Sequence, residues 1–260
     1  RMTSSIRVVG VSGGMLVNSQ GIFDLNGNNL DVTGTVSNDA TIRLFGSETV
    51  NLANDTNSGL WEYVGDGIGG ASSFNIKDFG VGADYFNLLI NAPAGETFNL
   101  TTDLELNGTL TTTSGVLSQG TNHNITVKDD VTLANNTFIK DTGTGQLILN
   151  GDLNLNAGNN DLGHVVIGLS PDIVTLLSDL IATDLTVNAG DTLVTDGYEI
   201  TLTDFLLINA TGTLNASNGT DGASTITLAG NWTNSGAFTA GGSTVTLNGT
   251  SLQTVTTGGS

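Results

Sequence analysis

One short unit keeps returning in this chain: Leu-Asn-Gly, at Leu25-Asn26-Gly27, Leu106-Asn107-Gly108, Leu149-Asn150-Gly151 and Leu247-Asn248-Gly249. Around it apolar and polar residues alternate, as in Leu104-Glu105-Leu106 and Leu153-Asn154-Leu155. Period-two alternation puts the apolar side chains on one face of a short strand. Asn-Gly tolerates positive φ and turns the chain. The pattern therefore predicts strands of about three to five residues, each followed by a corner. Such strands are too short for an ordinary sandwich, whose strands run about five or six residues or more. They suit a coiled ribbon, in which stacked equivalent strands share one continuous core.

A longer self-similarity runs over the short one. Asn99-Leu100-Thr101-Thr102-Asp103-Leu104 aligns with Thr175-Leu176-Leu177-Ser178-Asp179-Leu180 at an offset of 76. Ser114-Gly115-Val116-Leu117 before Ile125-Thr126-Val127 matches Ala189-Gly190-Asp191-Thr192-Leu193 before Ile200-Thr201-Leu202. Gly151-Asp152-Leu153 aligns with Gly230-Asn231-Trp232 at an offset of 79. This reading gives N-terminal solenoid coils at 1–60 and a Gly-rich loop or coil break at 61–83. Super-repeats follow at 84–162 and 163–238, with a further repeat or an open C-terminal end at 239–260. The expected fold is all-β: a parallel β-helix (β-solenoid), right-handed, with irregular corner loops. At about 20 residues per coil the chain makes about a dozen coils, a rod on the order of 60 Å long. Residues 171–182 are ambiguous, because Ile173, Leu176, Leu177, Leu180 and Ile181 fit a helical template behind Ser170-Pro171. The repeat alignment favours strand there.

Composition agrees. Thr (39), Asn (29) and Ser (19) replace charged residues, which make up 12% of the chain against about 25% in a typical domain. Strong helix formers are scarce and β-branched and turn-forming residues abound. The net charge is −19, every Lys and Arg lies at or before Lys140, and residues 141–260 carry eleven acids and no base. Such a surface repels nucleic acid phosphates and anionic lipid. The sequence has no cysteine, and no run approaches the ~18 apolar residues of a membrane span. The opening Arg1-Met2-Thr3 shows no signal-peptide hydrophobic region, so an export signal is expected to have been removed or to lie outside these residues.

Candidate chemistry is sparse. His123 and His164 read as exposed residues beside corners. Asp103 and Glu105, two apart, share a strand face and read as a solvated acidic edge rather than a hydrolytic pair. Asp129-Asp130 leaves calcium open as a ligand, though no ligand pattern recurs. Trp61 and Trp232 read as corner or core-capping residues rather than sugar platforms. Ten Asn-x-Ser/Thr sequons (Asn54, Asn99, Asn107, Asn124, Asn135, Asn209, Asn215, Asn218, Asn231 and Asn248) modestly exceed chance for this composition. The Thr-x-Thr pairs are explained by β-propensity. No catalytic, cofactor-binding or metal-binding residue is assigned.

The stretches Ile226-Thr227-Leu228-Ala229-Gly230-Asn231-Trp232-Thr233-Asn234-Ser235-Gly236, Ser243-Thr244-Val245-Thr246-Leu247-Asn248-Gly249-Thr250 and Asn54-Asp55-Thr56-Asn57-Ser58-Gly59-Leu60-Trp61 resemble the repeats of β-helical surface proteins. The resemblance is to the haemagglutinin-like and autotransporter-passenger type, and to Asn/Thr/Gly-rich exported repeat proteins. It implies a non-catalytic extracellular role, a β-solenoid stalk or adhesin segment of a larger cell-surface protein. The alternative is a self-assembling subunit of an extracellular filament or sheath, joined through open solenoid ends. A carbohydrate-active β-helix enzyme and an ice-binding solenoid rank below both. The partners expected are a second copy or a continuation of the chain, and a surface glycan, but not nucleic acid and not an inserted membrane.

Overall fold

The structure is a computed structural model and describes residues 6–8, 14–68, 71–80, 82–169, 171–217 and 222–258. These form an all-β solenoid of about 11 turns, without a helix. Each full turn lays down up to three short strands, one per face. Leu110–Ser114, Val116–Ser118 and Ile125–Val127 make one turn, and Val131–Leu133, Phe138–Ile139 and Gln146–Leu149 make the next. The first face is an eleven-stranded parallel sheet running from Ile22–Asp24 to Ala237–Thr239. The third is an eight-stranded parallel sheet from Leu104–Leu106 to Val255–Thr257. The second face comprises two four-stranded segments, ending at Phe138–Ile139 and restarting at Leu180–Ala182. The Asp161–Ile181 bridge links the intervening turn to the restart.

Register shows why the alternation is so strict. On the third face Leu104 stands over Ile125, then Leu147, Val165, Leu185, Leu206, Trp232 and Val255. From Leu104 to Leu206 these side chains are at most 2% exposed, so one apolar column fills the rod's interior. The residues between them point outward, giving Glu105, Thr126, Ile148, Val166, Thr186, Leu207 and Thr233 in a second column. Slipping by one residue would exchange the two columns.

Corners use a repeated device. At many of them an Asn or Asp side chain accepts the backbone N–H of a residue one turn further on. Asn87 takes Thr109, Asp103 takes Asn124, Asn124 takes Gln146, Asp152 takes Ile173 and Asp179 takes Glu199, at 2.8–3.0 Å. Strand ladders satisfy the backbone along the faces, and these side chains satisfy it where the chain turns. The Leu-Asn-Gly units mark such corners, but not for the reason expected. Only Asn26-Gly27 adopts positive φ at both positions (52° and 78°). At Gly108, Gly151 and Gly249 φ is ordinary, and a Cβ would lie 2.4, 2.3 and 2.1 Å from Asn87 Oδ1, Lys128 O and Ala229 O. Close approach of the neighbouring turn, not chain reversal, demands glycine there.

The 76-residue similarity does not join equivalent faces. Leu104 lies on the third face and Leu180 on the second; Leu153 lies on the first and Trp232 on the third. An offset of 76 spans three turns and part of a fourth. All three faces obey the same alternation, so they look alike in sequence. The stretch 171–182 holds two strands, Ile173–Leu176 and Leu180–Ala182, and Ser170 lies outside the described residues. The helical template fails because its apolar residues divide: Leu176 and Leu180 are buried, whereas Ile173 and Leu177 are about half exposed (51% and 47%). Across 61–83 stacking is continuous, since Leu60–Tyr63 pairs with both Thr41–Leu44 and Asn87–Asn91. The extra residues bulge around the strand Ser73–Asn75, which joins the second face beside Thr97–Asn99.

Leu153 is 4% exposed and stands beside Val174. Leu153→Asp is expected to destabilise the chain by roughly 4 kcal/mol or more, as an unpaired charge in an apolar column. Urea unfolding of the two proteins checks it; an unchanged midpoint would mean that the inward face is misassigned.

Candidate functional site

A cleft rich in ionisable groups lies where the 61–83 insertion meets the third face. It has a volume of ≈ 480 Å³ and is lined by Asp78, Asp84, Asp103, Glu105, His123 and Asn124, among others. An aromatic cluster packs the base of the insertion beside it. Trp61 packs on Phe79 at 5.1 Å and edge-on to Tyr85 at 5.9 Å, and Tyr63 packs edge-on to Phe98. The Tyr63 and Tyr85 hydroxyls share a hydrogen bond of 2.8 Å, Tyr63 Oη accepts the Lys77 N–H, and Tyr85 Oη donates to Lys77 O. Burial raises both phenols and lowers the Lys77 ammonium. The Lys77 ammonium donates to Gly46 O at 2.8 Å. The hydroxyls close on each other and on the Lys77 backbone, and the amine closes on Gly46 O, so the cluster holds the insertion in place.

The cleft's carboxylates are likewise engaged. Asp84 accepts the Phe79 and Glu105 N–H groups, and Asp103 accepts that of Asn124. Glu105 pairs with Lys128 at 2.6 Å, and Lys128 also donates to Asn107 Oδ1 at 2.8 Å. Glu105 points outward in the strand Leu104–Leu106, whereas Asp103 lies in the corner just before it, so the two do not share one strand face. Asp130 accepts the Asn154 backbone and side-chain N–H groups, and is a corner staple. Among the described residues no group of three or more His, Cys, Asp or Glu is placed to hold a metal ion.

Neither tryptophan offers a sugar-binding face. Trp61 is 1% exposed and donates from Nε1 to Asn54 Oδ1; Trp232 is 9% exposed and meets Phe238 edge-on. His164 differs from the exposed residue expected. Its Nδ1 lies 2.6 Å from Asp184 Oδ2 and its Nε2 lies 3.3 Å from Gly143 O. Nearby, Lys140 pairs with Asp161 at 2.6 Å and donates to Thr183 at 3.1 Å. Arg43 pairs with Glu62, whose second oxygen accepts from Asn91. In each charged pair the partners sit 19–23 residues apart, which is one turn. A search for opposite charges at the coil offset finds them; a search for local motifs does not. Among the sequons, Asn54 and Asn107 are bound into these networks, Asn135 and Asn231 are exposed, and Asn218 lies outside the described residues.

Asp141 is a heavily coordinated corner acid. It accepts the N–H groups of His123, Gly143 and Gly145. These bonds outweigh its burial and hold the carboxyl below its usual range. Gln119 completes the corner, accepting Asp141 N–H and donating to His123 O.

Comparison with protein-family models, with curated proteins and with solved structures finds no match.

Two predictions follow from the acids. Asp141→Ala is expected to cost roughly 3 kcal/mol in urea unfolding, because several buried N–H groups lose their acceptor; a change under about 1 kcal/mol would mean that the corner re-forms on water. Burial raises Asp84, Asp184 and Asp191, and burial together with Asp66 raises Glu96. A raised acid contributes stability that is present below its unfolded value, about 4, and lost as pH climbs through the folded value. Asp141 works oppositely, its contribution fading only below about pH 4. Tm should therefore fall by several degrees from pH 4.5 to 7.5, and Asp191→Asn should flatten part of that slope. A Tm that rises over this range would contradict the assignment.

Proposed function

We propose that this chain is a non-catalytic structural segment of an extracellular protein, a β-solenoid stalk or adhesin module. The observation that carries this reading is the use made of the polar side chains. Corner Asn and Asp are spent on backbone N–H groups of adjacent turns, and Arg43, Lys128 and Lys140 are spent on acids one turn away. Each turn is thereby fastened to the next by ladders, by an apolar column and by side-chain staples, an arrangement suited to bearing load along an axis. The acidic, Thr- and Asn-rich exterior suits a hydrated surface. A rod on the order of 50 Å long is expected in small-angle scattering, its cross-section unchanged by salt. Antibody against the folded chain is expected to label intact source cells. A compact scattering profile would end the stalk reading, and labelling only after lysis would end the extracellular one.

A second reading, a subunit that stacks end to end, is favoured by the terminal strands. Ala237–Thr239, Thr244–Leu247 and Val255–Thr257 each end their sheet among the described residues, and Leu247, Leu252 and Val255 are exposed there. At the other end Ile22–Asp24 closes the first face beside an apolar groove of ≈ 590 Å³, with Leu16 and Ile22 exposed. Head-to-tail stacking would continue the first-face sheet from Ala237–Thr239 into Ile22–Asp24, and such heterologous pairing propagates as a filament. Light scattering over a concentration series should then show linear growth that Val255→Lys suppresses. A monomer at every concentration leaves the stalk reading alone.

A further inference from the structure

Between Asn87–Asn91 and Thr97–Asn99 the chain turns through Pro93 and Glu96, the Glu96 N–H donating to Pro93 O. Glu96 is fully buried there, and neither of its carboxylate oxygens meets a donor in good hydrogen-bond geometry. The polar groups facing it come from the insertion one turn back, the Asp66 carboxylate and the Gly67 N–H. Gly65 lies flat against the same carboxylate. Its φ is +66°, and a Cβ there would overlap Glu96 Oε2. Asp66 meanwhile accepts the Ile68 N–H at 3.0 Å.

Among the described residues no positive side chain compensates this pair. Ser73 stands in register with the neighbouring Thr97 on one side, and Val116 donates its N–H to Glu96 O on the other. Lys77, the base of the insertion, is turned to Gly46 O. Two ionised carboxylates face to face, one of them wholly buried, carry both a desolvation cost and mutual repulsion. Something must neutralise one of them. Calcium takes about six to eight oxygen ligands, and among the described residues no third acid or His joins these two. A proton needs only the pair.

We propose that Glu96 and Asp66 share one proton, and that this carboxylic acid–carboxylate contact latches the segment Val64–Ile68 onto the corner, opening when the proton leaves. Glu96, the buried member, is the donor, and Asp66 the acceptor. Burial first, and the Asp66 charge second, push the Glu96 carboxyl upward, in the same direction. Loss of the proton leaves two negative charges at Gly65, where Glu96 occupies the space a side chain would need, and the segment is driven away. The latch answers to alkalinity: closed at mildly acidic pH, released above the folded value of Glu96.

Amide exchange of Gly67 and Ile68, corrected for intrinsic rates, tests the latch. In the wild-type chain their protection is expected to fall at least about tenfold between pH 5 and pH 8.5, the change one unit of pKa displacement carries. In Glu96→Gln, whose amide donates to Asp66 at any pH, protection should stay level. Asp66→Asn provides an independent check should Glu96→Gln fold poorly; it too should abolish the step. Equal protection at both pH values in the wild type, or a fall that survives in both variants, overturns the proposal. So does recovery of protection at pH 8.5 on adding millimolar calcium, which would make the bridging species a metal ion.

Discussion

The backbone hydrogen bond between successive turns is the interaction on which everything else here rests. In a parallel solenoid each turn supplies the polar partners of the next, so no turn is satisfied alone. Along the faces the requirement is met by parallel strand ladders. At corners the ladder cannot continue, because the chain changes direction, and short side chains with an acceptor oxygen take over. Asn and Asp reach the N–H of the residue one turn on; Thr and Ser join in pairs such as Thr112 with Thr137 and Thr195 with Ser224. The acidity of the chain is partly a consequence. Asp serves as a corner acceptor in the same way as Asn, and every Asp so used adds a charge that no base offsets.

The 61–83 insertion shows how such a rod accommodates extra chain. Its strand Ser73–Asn75 joins the second face, and the surplus on either side is pinned by Trp61, Tyr63, Phe79 and Tyr85. The aromatic residues are concentrated where the regular column of Leu, Ile and Val must widen. Phe74 stacks on Phe98 at 5.4 Å across the junction, so the insertion is tied to the following turn as well as to its own. Charged groups follow the same logic. Glu62, Asp84, Glu96 and Asp184 are buried to within 6% exposure; Arg43 answers the first, backbone N–H groups the second and His164 the fourth. Glu96 faces the Asp66 carboxylate instead.

Much of the fold could be read directly from the residues. Alternation in Leu104-Glu105-Leu106 fixed which side chains point inward, and short strands with polar corners called for a coiled ribbon of parallel strands rather than a sandwich. The site-level reading was less complete. His164 with Asp184, and Lys140 with Asp161, give no local signal, because their partners stand a full turn away. The glycine of Leu-Asn-Gly was correctly read as a corner residue for what was, at three of four positions, a different cause. A sequence shows that a residue tolerates positive φ; it does not show which carbonyl will lie above it.

What the sequence determined by itself is therefore the period of the chain and the inward or outward sense of each strand residue, since both follow from local alternation and turn chemistry. Which face each strand occupies was decided only in three dimensions. Leu104 and Leu180 look equivalent in sequence but lie on different faces, because all three faces impose the same two-residue rule and corner lengths vary. The residues that meet across turns were settled the same way. A neighbour about twenty residues distant is specified by the accumulated lengths of the intervening corners, and those are fixed by close packing of one turn on the next.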